Sequence, residues 1–360
     1  MKNLYTTILL TSLMIILSCD WVEMPTESKY EQKIVINGML FAHQQLNPSG
    51  GDFEDGLSFI KVNKTADITD VYNSDTTACS VDSIWIYDIN TEVNYPLVEN
   101  ENYTGIYYNN NLTFEEGHAY QLTVIDLMED GAIDTVFAET TIPSALIISE
   151  TIVNDENIGD LNGQTLTYNP AISGQATMFN PIQIKLYVSA SNEENSPAMG
   201  RIMNYALEPS LDEYLEYHFD EQTPPVSLEE HIRNDIMITE DDTLLAFLWK
   251  WHHISKDSLA DRIMMRRSSQ YSFSQLSEPL MMRWTVFTFY GPQLMTLYAL
   301  DENYLNYHIG NLEGPPSDPH YLPQSNIVNG YGLLCSGNMG VMSPFGMPEN
   351  AKIFELIPPE

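Results

Sequence analysis

The residues best equipped for chemistry lie together at Trp249-Lys250-Trp251-His252-His253. On an extended strand Trp249 and Trp251 share one face, where paired indoles can stack on a sugar ring or another apolar plane. The adjacent imidazoles point to opposite faces, so one metal takes both only if the strand bends. Trp249 and Trp251 are therefore the candidate ligand platform, with burial in a core as the competing reading. A second group, Asp126, Asp130 and Asp134, surrounds the turn signal Glu129-Asp130-Gly131. Carboxylates so placed could hold Ca²⁺, but Met128 fills the middle ligand position an EF-hand loop needs, and a solvated turn accounts for them. No G-x-S-x-G, H-E-x-x-H, Walker loop or Rossmann glycine pattern occurs, so no catalytic residue, cofactor or metal set is assigned. A hydrolytic site would have to be assembled from distant groups such as His218, His252 and nearby acids.

The N-terminus carries a different chemistry. Lys2 is the only charge before position 20, and Ile8–Leu17 is apolar apart from Thr11 and Ser12. Ten residues at helical rise span roughly 15 Å, too short for a bilayer and right for a signal-peptide core. The run ends in Ile16-Leu17-Ser18-Cys19, which resembles the lipobox of bacterial lipoproteins. The resemblance implies a diacylglycerol thioether on Cys19, cleavage after Ser18 and acylation of the new amine. Two or more acyl chains anchor stably where one does not.

Charge narrows the partners. The chain has 50 acidic and 15 basic residues; without Lys2 the balance is 50 against 14, about −36. Such a chain has too few cations to neutralise phosphates, which excludes nucleic acid as a partner. It also disfavours electrostatic docking on anionic lipid, leaving the acyl chains to hold the membrane. Cys79 and Cys335 remain after Cys19, and an exported chain could pair them or leave them free.

The elements that must position these groups are mostly strands. Residues 20–30, with Pro25, form a tether. Residues 31–143 make one small β-domain: Lys33–Leu40, Ser83–Ile89 and the two alternating runs around Asp130-Gly131 have the period of half-buried strands, and the last two form a hairpin. Asn100–Tyr108 reads as loop and strand. Strands this short and closely spaced suggest an antiparallel sandwich. In residues 144–360, Pro181–Ser191 and Arg283–Tyr290 read as strands. Capping boxes at Ser210/Glu213 and Ser227/Glu230 start helices in an insert at about 208–268, with Asp257–Arg267 as a third. Asp301–Ile309 reads as a helix with Tyr304, Leu305, His308 and Ile309 inward, stopped by Gly310. Glu313–Gln324, with four prolines, is loop. In Asn326–Gly332 the glycines permit positive φ or close approach of another strand.

Three features together resemble the bacterial envelope lipoproteins, of Bacteroidota type, that carry the domain of unknown function 4249. A KIVINGML strand follows the lipobox cysteine closely, a hairpin leaves through Thr140-Thr141-Ile142-Pro143, and a tyrosine-rich helix and proline loop precede SNIVNGYGLL at Ser325–Leu334. Leu333 stands where the family usually has an aromatic. The resemblance implies a mainly β chain: an Ig-like or transthyretin-like sandwich followed by a second β-rich domain with a few helices inserted. It implies an outer-membrane location and no known reaction. Asp20 and Glu23 resemble the acidic export signal of surface lipoproteins of that group. Asp75-Thr76-Thr77, Asp134-Thr135-Val136, Asp242-Thr243-Leu244 and Asp257-Ser258-Leu259 resemble its short O-glycosylation motif.

The expectation is a non-enzymatic, lipid-anchored outer-membrane protein at the cell surface, binding a ligand or serving a TonB-dependent transporter. A surface hydrolase and a purely structural or adhesive protein are the alternatives.

Overall fold

The computed structural model describes residues 32–51, 57–65, 77–127, 133–167, 184–207, 265–273, 279–282, 287, 290–312, 324–341 and 348–357. The chain divides into two compact units, Met1–Gln32 with Ala66–Val71 and Lys33–Thr65 with Tyr72–Glu360. The second unit is described below, and it is mainly β.

Its first half runs β1 Ile34–Phe41, β2 Phe59–Lys64, β3 Ser83–Asp88, β4 Val93–Pro96, β5 Val98–Asn100, β6 Tyr103–Tyr108, β7 Ala119–Leu127 and β8 Ile133–Thr141. Then come β9 Leu146–Val153, β10 Glu156–Gly159, β11 Thr165–Thr167, β12 Ile184–Ala190, β13 Met199–Leu207, β14 Met265–Phe273, β15 Leu280–Met282 and β16 Gly291–Leu300. Helix α1, Glu302–Leu312, precedes β17 Tyr331–Asn338 and β18 Lys352–Ile357.

These strands form three sheets. One orders β4-β3-β7-β8 and another β10-β9-β12-β15. The largest has ten strands along β11-β18-β16-β17-β1-β2-β6-β5, with β13 and β14 branching from β16. It draws strands from both sides of residue 143. Its seam is a parallel pair, β1 beside β17, from Val35 opposite Tyr331 to Phe41 opposite Gly337.

The alternation in β1 explains the layering. Ile34, Ile36 and Leu40 turn to one face and pack with Ile86, Leu122, Val124 and Val136 of the β4-β3-β7-β8 sheet. Met39 and Phe41 turn to the other face and join Met203, Tyr298, Leu333 and Cys335. The β10-β9-β12-β15 sheet builds its own core with Ile202, Leu297 and Phe354 of the large sheet. Strands β13, β16 and β17 are thus buried on both faces along most of their length. Such strands read as continuous apolar runs rather than alternations.

Several expectations need correction. The expected third insert helix, Asp257–Arg267, is corrected at its C-terminal end, where Met265, Arg266 and Arg267 lie in β14 against Leu207, Ala206 and Tyr205; the rest of that span lies outside the described residues. The other insert helices lie outside the described residues. Within Arg283–Tyr290 the described Phe287 and Tyr290 are not in a strand; the strand begins at Gly291. Helix α1 continues through Gly310 to Leu312; one helical glycine costs only about 1 kcal/mol. Tyr304 is buried and Leu305 packs against the third core as expected, while the side chains of His308 and Ile309 lie outside the described residues. Among the described residues no helix is long and apolar enough to cross a membrane.

Candidate ligand cleft

A cleft of about 410 Å³ opens where the end of β8, the turn before β13 and the start of α1 converge. Glu139, Glu194, Asp301 and Glu302 bring carboxylates to its lining, with the backbone and side chains of Thr140–Pro143, Asn195 and Asn303. The elements meet there because three asparagine side chains tie them, Asn303 and Asn326 half-buried and Asn338 fully buried. Asn303 donates to the Glu139 carbonyl at 2.8 Å, and Asn326 donates to the Leu334 carbonyl at 2.7 Å while accepting from the Leu334 amide at 3.0 Å. Asn338 donates to Glu116 at 2.8 Å and to the Pro143 carbonyl at 2.9 Å.

Asp301 organises the inner wall. It is the N-cap of α1: its Oδ1 accepts from the Tyr304 amide at 2.9 Å, satisfying one of the helix's free donors. Its Oδ2 lies 2.5 Å from Thr140 Oγ1, which is 2.8 Å from Ser336 Oγ, which donates to the Thr141 carbonyl at 2.7 Å. Burial pushes the Asp301 carboxyl up to about 6, against the lowering effect of hydrogen bonds from Thr140, Tyr304 and Ser336. Proton accounting agrees with that direction, since each hydroxyl carries one proton. With Asp301 protonated the run closes: Asp301 donates to Thr140, Thr140 to Ser336, Ser336 to Thr141. With Asp301 ionised, Thr140 must turn to the carboxylate, and Ser336 then has one proton for two acceptors.

Thr140 and Ser336 are buried, and the described imidazole most firmly paired with an acid, His118, is engaged elsewhere. His118 Nδ1 lies 3.0 Å from Asp88 Oδ2 and its Nε2 3.5 Å from Glu115. Burial alone would raise the Asp88 carboxyl; hydrogen bonds from His118 and from the Thr91 and Asn90 amides outweigh it and hold the group low. The pair fastens the β3–β4 turn. On the opposite face of the large sheet, buried Arg201 donates to the Tyr304 hydroxyl at 2.5 Å and stacks over its ring, 5.3 Å from the centroid. What the cleft offers chemically is an open, acid-rimmed surface suited to cationic or donor-rich groups.

The sequence candidates fall as follows. Cys19, the indoles Trp249 and Trp251, and His218 and His252 lie outside the described residues, as does Asp130. Asp126 and Asp134 stand opposite each other on the β7–β8 hairpin. Asp126 Oδ2 lies 2.9 Å from Lys64 Nζ, so an internal cation already faces it. Among the described residues no group of three His, Cys, Asp or Glu side chains could hold a metal. Cys79 and Cys335 are both free thiols, Cys335 fully buried. In the Asn326–Gly332 stretch, Asn329 and Gly332 take positive φ, and the chain passes directly against β1. The sequence reading missed Asp301, Thr140 and Ser336 as a group. Asp301 alone carried a signal, an acid before a helical run; Thr140 lies 161 residues before it and Ser336 35 residues after it along the chain.

A mainly β protein with an acid-rimmed cleft is the class these observations define. No family model matches the chain, and no curated protein matches it either.

Proposed function

We propose that the protein is a non-enzymatic lipoprotein, held in the outer membrane by acyl chains on Cys19 and exposed at the cell surface. There it works as a binding or accessory component of a TonB-dependent uptake system. The observation that carries this reading is the apolar run ending at Ile16-Leu17-Ser18-Cys19, with the acidic tether behind it. Support comes from the resemblance to the lipoproteins with domain 4249, including an Ig-like first domain. The open cleft supports a binding role, because the exposed Glu139, Glu194 and Glu302 line it beside the buried relay. The lipid anchors the body, the tether of residues 20–30 spaces it from the surface, and the sheets present the cleft.

The test is affinity purification of the C-terminally tagged chain from detergent-solubilised membranes. A TonB-type receptor recovered in near-equal amount is expected. A chain that elutes alone under conditions preserving other receptor complexes would remove the accessory role.

A further inference from the structure

Arg201 stands in β13, between β14 and β16, directly opposite Ser272 on one side and Tyr298 on the other. Residues paired in this way share a face of the sheet. Met199 and Met203 flank Arg201 along β13, with Leu300 and Thr296 opposite them on β16. Helix α1 adds Tyr304, whose hydroxyl and ring both engage the guanidinium. Arg201 is 7% exposed, and its buried Nε has no hydrogen-bond partner.

The charge balance around it is unusual for this chain. Lys64, Lys185 and Lys352 are each more exposed, and each faces an aspartate at 3.0 Å or less. Arg201 is more deeply buried, yet among the described residues no carboxylate comes within ion-pair distance of it. The two acids that open α1 are engaged elsewhere. Asp301 Oδ1 accepts from the Tyr304 amide and its Oδ2 lies against Thr140, while Glu302 is exposed at the cleft. The described polar side chains that share its face or meet it from α1 are hydroxyls, those of Ser272, Thr296, Tyr298 and Tyr304. A buried charge is costly unless it is both paired and hydrogen-bonded. The Tyr304 ring offsets part of that cost, and the Nε edge still calls for an acceptor.

We infer that Arg201 anchors an anion site whose ligand is a small monocarboxylate with an apolar stem. One guanidinium supplies one positive charge, which a monoanion balances. The planar fork beside Nε matches a planar carboxylate, which can take two parallel N–H bonds. The surrounding core is thioether and aromatic, with Met199, Met203, Phe41 and Tyr298, and such side chains suit a short hydrocarbon stem and adapt to its shape. Ser272 is half-buried, and β14 pairs with β13 alone among the described strands, so the ligand enters over β14. The site takes the opposite charge from the acid-rimmed cleft, and it stands whether or not the chain carries a lipid.

The test is urea unfolding of the full chain in detergent at pH 7, in sodium butyrate, sodium acetate and sodium chloride at matched ionic strength. Butyrate should stabilise the wild type beyond chloride and acetate. At a concentration about 100 times its dissociation constant it should raise the folded-to-unfolded ratio about a hundredfold. Arg201→Met, apolar and of similar reach, should lose the difference between butyrate and chloride. Arg201→Lys keeps the charge without the fork and should need at least about tenfold more butyrate for the same effect. A merely structural arginine would change stability equally in all three salts. If Arg201→Met does not fold, Tyr304→Phe, which frees the guanidinium from its hydroxyl partner, replaces it and should also shift the butyrate dependence. A butyrate response that survives unchanged in these variants overturns the site. Chloride as effective as butyrate in the wild type assigns a halide and overturns the carboxylate. No response to any salt means that the charge is balanced within the chain, and it overturns the inference too.

Discussion

Replacing Asp301 with Asn should stabilise the protein at neutral pH and change little at acid pH. The carboxyl is pushed from 3.8 to about 6 on folding, chiefly by burial. The folded state therefore binds more protons than the unfolded state between pH 4 and 6, and this group's contribution to stability falls as pH rises through that window. Two pKa units correspond to about 3 kcal/mol. Asn caps a helix as well as Asp does and can donate to Thr140, leaving that hydroxyl's proton for Ser336, so Asp301→Asn keeps the wall without the charge. Urea unfolding of both proteins, followed by tryptophan fluorescence, gives the difference directly. It should be near zero at pH 4, grow by about 1.4 kcal/mol per pH unit up to pH 6, and level off near 3 kcal/mol above that in favour of the variant. Taking a difference cancels the opposing acids Asp88 and Asp160, which are held low and lose stability on acidification. A flat difference, or one in which the wild type gains on the variant as pH rises, would refute the description of the relay.

Gly332→Ala should cost about 2–4 kcal/mol in the same assay, because a Cβ there meets the Ile36 backbone at a φ of 105°. Gly163→Ala has a positive φ but open space around it and should cost only about 1 kcal/mol; equal costs would mean that the approach to β1 is not tight. Thiol titration in denaturant should find two groups, Cys79 and Cys335, and almost none in the native protein near pH 7.5, since burial raises both. Three groups would mean an unmodified Cys19, and none would mean that the pair is bridged.

Strands with one wet face were readable from the sequence. Ser83–Asp88 and the β7–β8 hairpin alternate cleanly because one side packs in the first core and the other faces out. β1 was readable through its β-branched residues, although both its faces are covered. β13 was missed for the complementary reason: all nine of its residues are buried, so no period of two survives in MGRIMNYAL. β17 was read only as a glycine stretch. Its pairing with β1 joins residues almost 300 apart, and no local pattern announces a parallel partner so distant. The cleft was illegible for the same reason: Thr140, Asp301 and Ser336 are ordinary residues until the large sheet brings three segments together. The acid-to-helix junction at Asp301 was the only local trace of it.

The central claim is the lipid on Cys19, and intact mass spectrometry of the protein purified from its own membranes tests it most directly. The account predicts a chain beginning at Cys19, heavier than its sequence by a diacylglyceryl group and an amide-linked acyl chain. A mass showing residues 1–18 still attached and an unmodified thiol would contradict it.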